Sequence, residues 1–286
     1  MTTYAVTAAT GQLGRMVLDA LLALDVAPGD IVAIARDPRK LAELEPLGVT
    51  TRAADYGNPG ALYEALQGVD RLLLISGNEV GRRLEEHTNV LDAARGAGVG
   101  RVAYTSILWA DFTTNPLADE HLATERMIAD TGLPHTLLRH GWYTENYTGQ
   151  IPQYVAEREI VTATGGATLA TAARGDFAAA DAFALVNDTA EEVIWELAGP
   201  GWTMQEFAAE VSKAAGQEIL ARDVTPAELV ERAVAAGAPE GGARFGAQID
   251  ASIAAGQLDA PSEPLRLLLQ GREPLTMAQL VAAAQH

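Results

Sequence analysis

The sequence predicts an α/β fold: a doubly wound parallel sheet with a smaller, mainly helical second lobe. Three observations carry this. Short β-like runs alternate with helix-like segments through the first half of the chain. A turn with two glycines, Gly11 and Gly14, joins the first strand to the first helix. After Arg139 the alternation breaks, and the last third is Ala-rich with apolar residues at helical spacing.

The elements follow in order. Residues 4–8 read as a strand, and 12–24 as a helix with Leu13, Val17, Leu21 and Leu24 on one stripe. Ile31-Val32-Ala33-Ile34-Ala35 suits a strand buried on both faces. Asp37-Pro38 reads as a helix start, with Asp as N-cap and Pro in the first helical position. Strands are expected at 50–54, 71–75, 101–105 and 134–139, with helices at 59–67, 83–97 and 119–130 between them. Beyond Arg139 come an aromatic, polar stretch at 141–147, short strands near 160–163 and 168–173, a helix near 175–187 and a strand at 193–197. The expected division is a first domain over 1–140, with about 175–200 returning to it. The second lobe is expected to comprise about 141–174 and 200–286.

Thirty-eight acidic residues against 20 basic ones give a net charge of −18. Such a surface repels phosphodiester backbones and anionic bilayers, so neither nucleic acid nor a membrane is an expected partner. No apolar run approaches the length of a membrane span, and no leader pattern opens the chain. There is no cysteine, hence no disulfide, thiolate nucleophile or Cys-based metal site. A cytoplasmic setting and no metal are the expectation; a homodimer is left open.

Thr7-Ala8-Ala9-Thr10-Gly11-Gln12-Leu13-Gly14 has the form of a Rossmann-type phosphate loop. Glycines serve there where backbone approaches pyrophosphate and where helix packs on strand, and the pyrophosphate rests on helix N-terminal N–H groups. Ala8 stands where a first glycine is usual, which requires a negative φ at Ala8. The second strand ends in Arg36 rather than an acid. Arginine there accommodates a 2′-phosphate, so NADP(H) is the expected cofactor, with Arg39 or Lys40 either in reserve or merely solvated.

With these residues in view, the chain resembles NmrA-like, atypical short-chain dehydrogenases/reductases. More closely, it resembles the bacterial NAD(P)H:quinone oxidoreductase type 2 group. The matching segments are 9–14, 34–38, 54–57, 73–76, 103–106, 117–121 and Arg139-His140-Gly141-Trp142-Tyr143-Thr144-Glu145-Asn146-Tyr147. Triphenylmethane dye reductases share Ile75-Ser76-Gly77 and 121–125. The resemblance implies that Ala8, Ala9, Thr10, Gly11, Gln12 and Leu13 hold the pyrophosphate and Arg36 the 2′-phosphate. It implies Asp55 and Tyr56 beside the adenine, and Ser76, Gly77 and Asn78 on the nicotinamide side. His140, Gly141, Trp142, Tyr143, Thr144 and Glu145 would close over the nicotinamide, and Trp142, Tyr143, Asn146 and Tyr147 would shape the acceptor pocket. His140 departs from the pattern, in which Asn is usual.

The Tyr-x-x-x-Lys pair of ordinary short-chain dehydrogenases is absent, since the only lysines are Lys40 and Lys213 and no tyrosine stands four residues before either. Reduction of a quinone does not demand such a pair, and positioning of the acceptor by Tyr143 and Asn146 would carry the catalysis. Three readings stay open. They are hydride transfer to quinones, reduction of dyes or other delocalised electrophiles, and a non-catalytic NADP(H)-sensing regulator. His121 and Glu125 share a helix face and fit a surface or packing role, a pocket donor or a metal pair. His140 is a donor near the pocket or a structural histidine; His87, His135 and His286 receive no role.

Overall fold

The computed structural model describes residues 1–77, 79 and 81–284. The first half runs β1 (Tyr4–Val6), α1 (Gln12–Ala23), β2 (Ile31–Ala35), α2 (Pro38–Ala42), β3 (Thr50–Ala53), α3 (Pro59–Ala65), β4 (Arg71–Leu74), α4 (Arg83–Ala97), β5 (Arg101–Ile107), α5 (Ala118–Asp130) and β6 (His135–His140). There follow β7 (Trp142–Tyr143), α6 (Glu145–Thr148), α7 (Ile151–Glu157), β8 (Glu159–Thr162), β9 (Leu169–Ala172), α8 (Arg174–Asn187), β10 (Glu192–Leu197) and β11 (Gly201–Trp202). The chain closes with α9 (Met204–Ala215), β12 (Leu220–Asp223), α10 (Pro226–Ala235), α11 (Glu240–Ala254), α12 (Glu263–Leu268) and α13 (Met277–Ala283).

Local chemistry sets these boundaries. Asp37 caps α2 by accepting from the Arg39 N–H at 2.9 Å, with Pro38 in the first turn. Asn58 does the same for α3. Gly98, in the left-handed region at φ 78°, ends α4. Thr203 and Glu206 form a reciprocal capping box at α9. The first strand stops at Val6, before residue 8, because Ala8 turns into the left-handed region at φ 48°.

The main sheet has seven strands in the order β10-β6-β5-β4-β1-β2-β3, all paired in parallel. Strand order reverses beside β1, and this switch point opens a crevice at the carboxyl ends of the strands. One face packs on α1 and α8 through Val17, Leu21, Phe177 and Leu185. The other packs on α3, α4 and α5 through Leu62, Val90, Leu91 and Ile128. Every residue of β2 and β5 is buried, as continuous runs in a doubly covered sheet require.

A separate core gathers Tyr147, Ile151, Trp202, Phe207, Ile253 and Leu258 beneath a three-stranded sheet, β11-β9-β7. Helix α12 lies apart from that core. Leu265 and Leu268 pack with α8 in the main-sheet core, because the apolar side of α12 faces the outer flank of α8 and β10. No helix among the described residues is long and apolar enough to cross a membrane.

Candidate cofactor and acceptor site

Two adjoining cavities lie at the carboxyl ends of the strands, of about 380 and about 420 Å³. Both are lined by Ala8, Gly11, Ser76 and Gly77, so they meet at the glycine turn. The turn is tightly built. The Gly11 N–H donates to the Ala8 carbonyl at 2.9 Å, and the Ala9 N–H donates to Ile34 at 3.0 Å. A Cβ on Gly14 would collide with the Ala8 carbonyl and stand 2.8 Å from Cα of Ala9. Helix α1 has no side-chain cap, which leaves its first N–H groups, Gln12 and Leu13 among them, directed at the cavity.

The expected negative φ at Ala8 is not what the turn adopts. Ala8 sits at φ 48° because its carbonyl must turn back over Gly11 and Gly14, and the small methyl group tolerates that conformation at a cost. The expected pyrophosphate role of Ala9 also changes, since its N–H is already used by the sheet.

The larger cavity is the polar one. Thr10, Arg36, Asp37, Lys40, Asp55, Tyr56, Glu79 and Glu86 line it. The Arg36 guanidinium is mostly exposed and lies 3.5 Å from Glu79. Arg39 instead grips Asp37 through two contacts, at 3.2 and 3.0 Å, so the reserve cation beside Arg36 is Lys40. The Tyr56 hydroxyl lies 2.6 Å from Thr7 Oγ1 and 2.8 Å from the Ile75 carbonyl, tying the β1 and β4 loops together. Burial pushes this phenol well above its usual range.

The smaller cavity is lined by Gln12, Leu13, Ile107, His121, His140, Gly141, Trp142, Tyr143, Asn146 and Arg174, with others. Gly141 stands in tight space: a Cβ would lie 3.1 Å from two carbonyls, those of Ala170 and Leu197. Tyr143 lies beneath the Arg174 guanidinium, 4.6 Å from ring centre to Cζ. His121 is buried, with Nδ1 2.8 Å from the Tyr104 hydroxyl. Burial first, then the Arg83 charge, hold His121 far below the ordinary histidine range, so it is a neutral group. Its helix neighbour Glu125 turns away, taken by Arg139 at 2.9 and 2.7 Å. The surface and metal-pair readings of His121 and Glu125 therefore give way to separate buried roles.

Some expected residues are placed elsewhere. Tyr147 packs edge-on to Trp202, with ring centroids 5.2 Å apart, in the core of the smaller lobe, and lines neither cavity. Thr144 turns inward to Thr171 at 2.6 Å. Glu145 accepts from the Arg174 N–H at 2.9 Å and so supports the cavity wall from behind. Asn78 and His286 lie outside the described residues.

Sequence reasoning missed three residues. Arg174 caps the acceptor cavity from the start of α8. Arg83, nearly fully buried, donates to the Gly77 carbonyl at 2.9 Å and pairs with Glu120 at 2.9 Å. His87 accepts from the Gly77 N–H at 3.1 Å while its other nitrogen meets Thr124 at 3.0 Å. His87 and Arg83 thus hold both backbone groups of Gly77. No sequence spacing announces this, because the partners join a helix to a strand loop.

The arrangement fits a dinucleotide: a crowded glycine turn under helix N–H donors, a polar cavity with a cation on one side, and an aromatic cavity on the other. The sequence matches the NAD(P)H-binding family over residues 8–187. Quinone oxidoreductase 2 of Escherichia coli (strain K12) is 42% identical over 279 residues, 97% of each chain. The structure of NADPH-dependent quinone oxidoreductase from Escherichia coli, complexed with NADPH, superposes with a TM-score of 0.95 at 40% identity, covering 99% of this chain and 100% of that one. That of Citrobacter sp. triphenylmethane reductase with NADP(H) gives 0.91 at 34% identity, over 99% of this chain and all of the other. The chain belongs to the NAD(P)H-binding family, in the group that also holds quinone oxidoreductase 2.

Proposed function

We propose that this protein is an NADPH-dependent reductase whose acceptors are quinones. The observation that carries the reading is the pair of cavities meeting at Gly11, with Arg36 at the far side of one and Trp142, Tyr143 and Asn146 in the other. In this reading the N–H groups of Gln12 and Leu13 hold the pyrophosphate and Arg36 takes the 2′-phosphate. Asp55 and Tyr56 flank the adenine. Ser76, Gly77, His140 and Gly141 border the nicotinamide, and Trp142, Tyr143 and Asn146 orient a flat acceptor. Bound NADPH supplies the hydride. The chain's residues align the acceptor. The division of labour follows the two lobes: residues 1–140 with about 175–200 for the cofactor, and 141–174 with much of 200–286 for the acceptor side.

A second reading, reduction of triphenylmethane-type dyes, is supported by likeness to the Citrobacter sp. enzyme over the whole chain. One experiment separates the readings. NADPH oxidation is followed with benzoquinone, a naphthoquinone, a triphenylmethane dye and a simple ketone. Quinone turnover well above the others is expected. A dye preference would favour the second reading, and cofactor binding with no turnover would favour a sensor.

A further inference from the structure

We infer that Asp181, His140 and Tyr143 form a proton-delivery relay that ends at the acceptor cavity. This rests on the quinone-reductase reading and goes beyond acceptor positioning alone. Asp181, on α8, is wholly buried; its Oδ1 lies 2.7 Å from Nε2 of His140, and Oδ2 has no partner among the described residues. A bare carboxylate in that place would be costly, so the pair retains a proton that it shares. The imidazole cannot turn to another partner. Phe177 stacks on it with centroids 4.4 Å apart and planes 16° from parallel. Its remaining nitrogen, Nδ1, faces the Tyr143 hydroxyl at 3.4 Å, and Tyr143 lines the acceptor cavity.

The surroundings suit a donor. Burial, with the Asp181 and Glu145 charges, pushes the Tyr143 phenol up against the opposing pull of Arg174, so it keeps its proton at neutral pH. Burial also raises the Asp181 carboxyl, against the lowering effect of His140. The groups facing the relay are therefore Asp181, Arg174 and Glu145 around Tyr143, and Asp181, Tyr143 and neutral His121 around His140.

The acceptor would take its hydride, a hydrogen with its electron pair, from the dinucleotide that these cavities would hold. The Tyr143 O–H bond breaks as an O–H bond forms on the acceptor's carbonyl oxygen. The Nδ1 proton of His140 passes to the Tyr143 oxygen. The His140–Asp181 pair is left one proton poorer and is recharged from water entering the open cavity.

The test compares the full-length protein with Tyr143→Phe and His140→Asn. Above the ionisation of the pair, wild-type kcat for benzoquinone should fall as pH rises, with a solvent deuterium isotope effect on kcat. Each variant should lower kcat by about tenfold near neutral pH, lose that alkaline fall and leave acceptor KM within about threefold. Nitrogen NMR of labelled histidine gives a readout apart from turnover: the Nδ1 resonance of His140 should move in Tyr143→Phe. Tyr143→Phe removes one oxygen and keeps the ring, and a thermal melt verifies its fold, so it decides the matter even where His140→Asn misfolds. Variants that keep the wild-type pH profile, or a His140 resonance indifferent to Tyr143→Phe, overturn the relay alone. A wild type that reduces no quinone overturns the underlying reading, and the relay with it.

Discussion

The Ala8 carbonyl occupies the space in which a side chain on Gly14 would begin. Gly14→Ala must therefore push the first helix away from the turn. We expect a loss of about 1–3 kcal/mol, as for other overpacked sites, and weaker NADPH binding, read by thermal melting and fluorescence titration. Ala8→Gly should act oppositely. It relieves the left-handed strain at φ 48°, partly offset by a more flexible unfolded chain, for a net gain below about 1 kcal/mol. A lower melting temperature for Ala8→Gly would contradict the strain.

Among the described residues, Arg36 meets no partner closer than Glu79 at 3.5 Å. Its guanidinium is thus available to a 2′-phosphate. Arg36→Ala should weaken NADPH by roughly 1.5–3 kcal/mol, the range for a charge-assisted hydrogen bond, and leave NADH nearly unchanged. Titration of both cofactors checks this, and equal losses would remove Arg36 from the phosphate.

Burial, with Arg83 beside it, pulls His87 down to about 3 from an ordinary 6.5. Between those values the unfolded chain holds the proton and the native protein does not. Stability therefore falls as pH falls through that window, by about 1.4 kcal/mol per pH unit for this one group. His87→Gln should lose that part of the slope, in urea unfolding compared at about pH 7 and about pH 5. An unchanged slope would mean that His87 is protonated in the fold.

The Tyr147 hydroxyl is buried without a partner among the described residues, within the aromatic core of the smaller lobe. Tyr147→Phe should leave turnover unaltered and stabilise by up to about 1 kcal/mol, because an unsatisfied polar group is removed. Trp142→Ala, by contrast, removes cavity wall and should raise acceptor KM. Steady-state kinetics on the two variants separates them.

The parallel sheet and its first turn were legible because local signals agreed with the fold: continuous apolar strands, Asp37-Pro38 as a helix start, glycines at Gly11 and Gly14. Arg36 was legible for the same reason, since its place depends on one strand end. Tyr147 was not. Its sequence neighbours Trp142 and Tyr143 line the cavity, but the short helix α6 turns it into the core. Nor was the start of α11, where Gly241 and Gly242 stand in the first turn despite weak helix propensity. The backbone grip of Arg83 and His87 on Gly77 is long-range chemistry that no local pattern encodes.

The Gly141 N–H donates to the Leu197 carbonyl at 2.7 Å, so the chain's first departure from the main sheet is fastened by its last strand. During synthesis β6 emerges well before β10. The mouth of the cleft must therefore stay unlatched while the intervening residues are made, and the latch closes over a long stretch of chain. Such distant pairings are slow to form. Newborn molecules should accordingly acquire a protected β1 and β2 well before a protected β10, and truncation ahead of Glu192 should yield a protein that keeps its first helices and lacks a finished cleft.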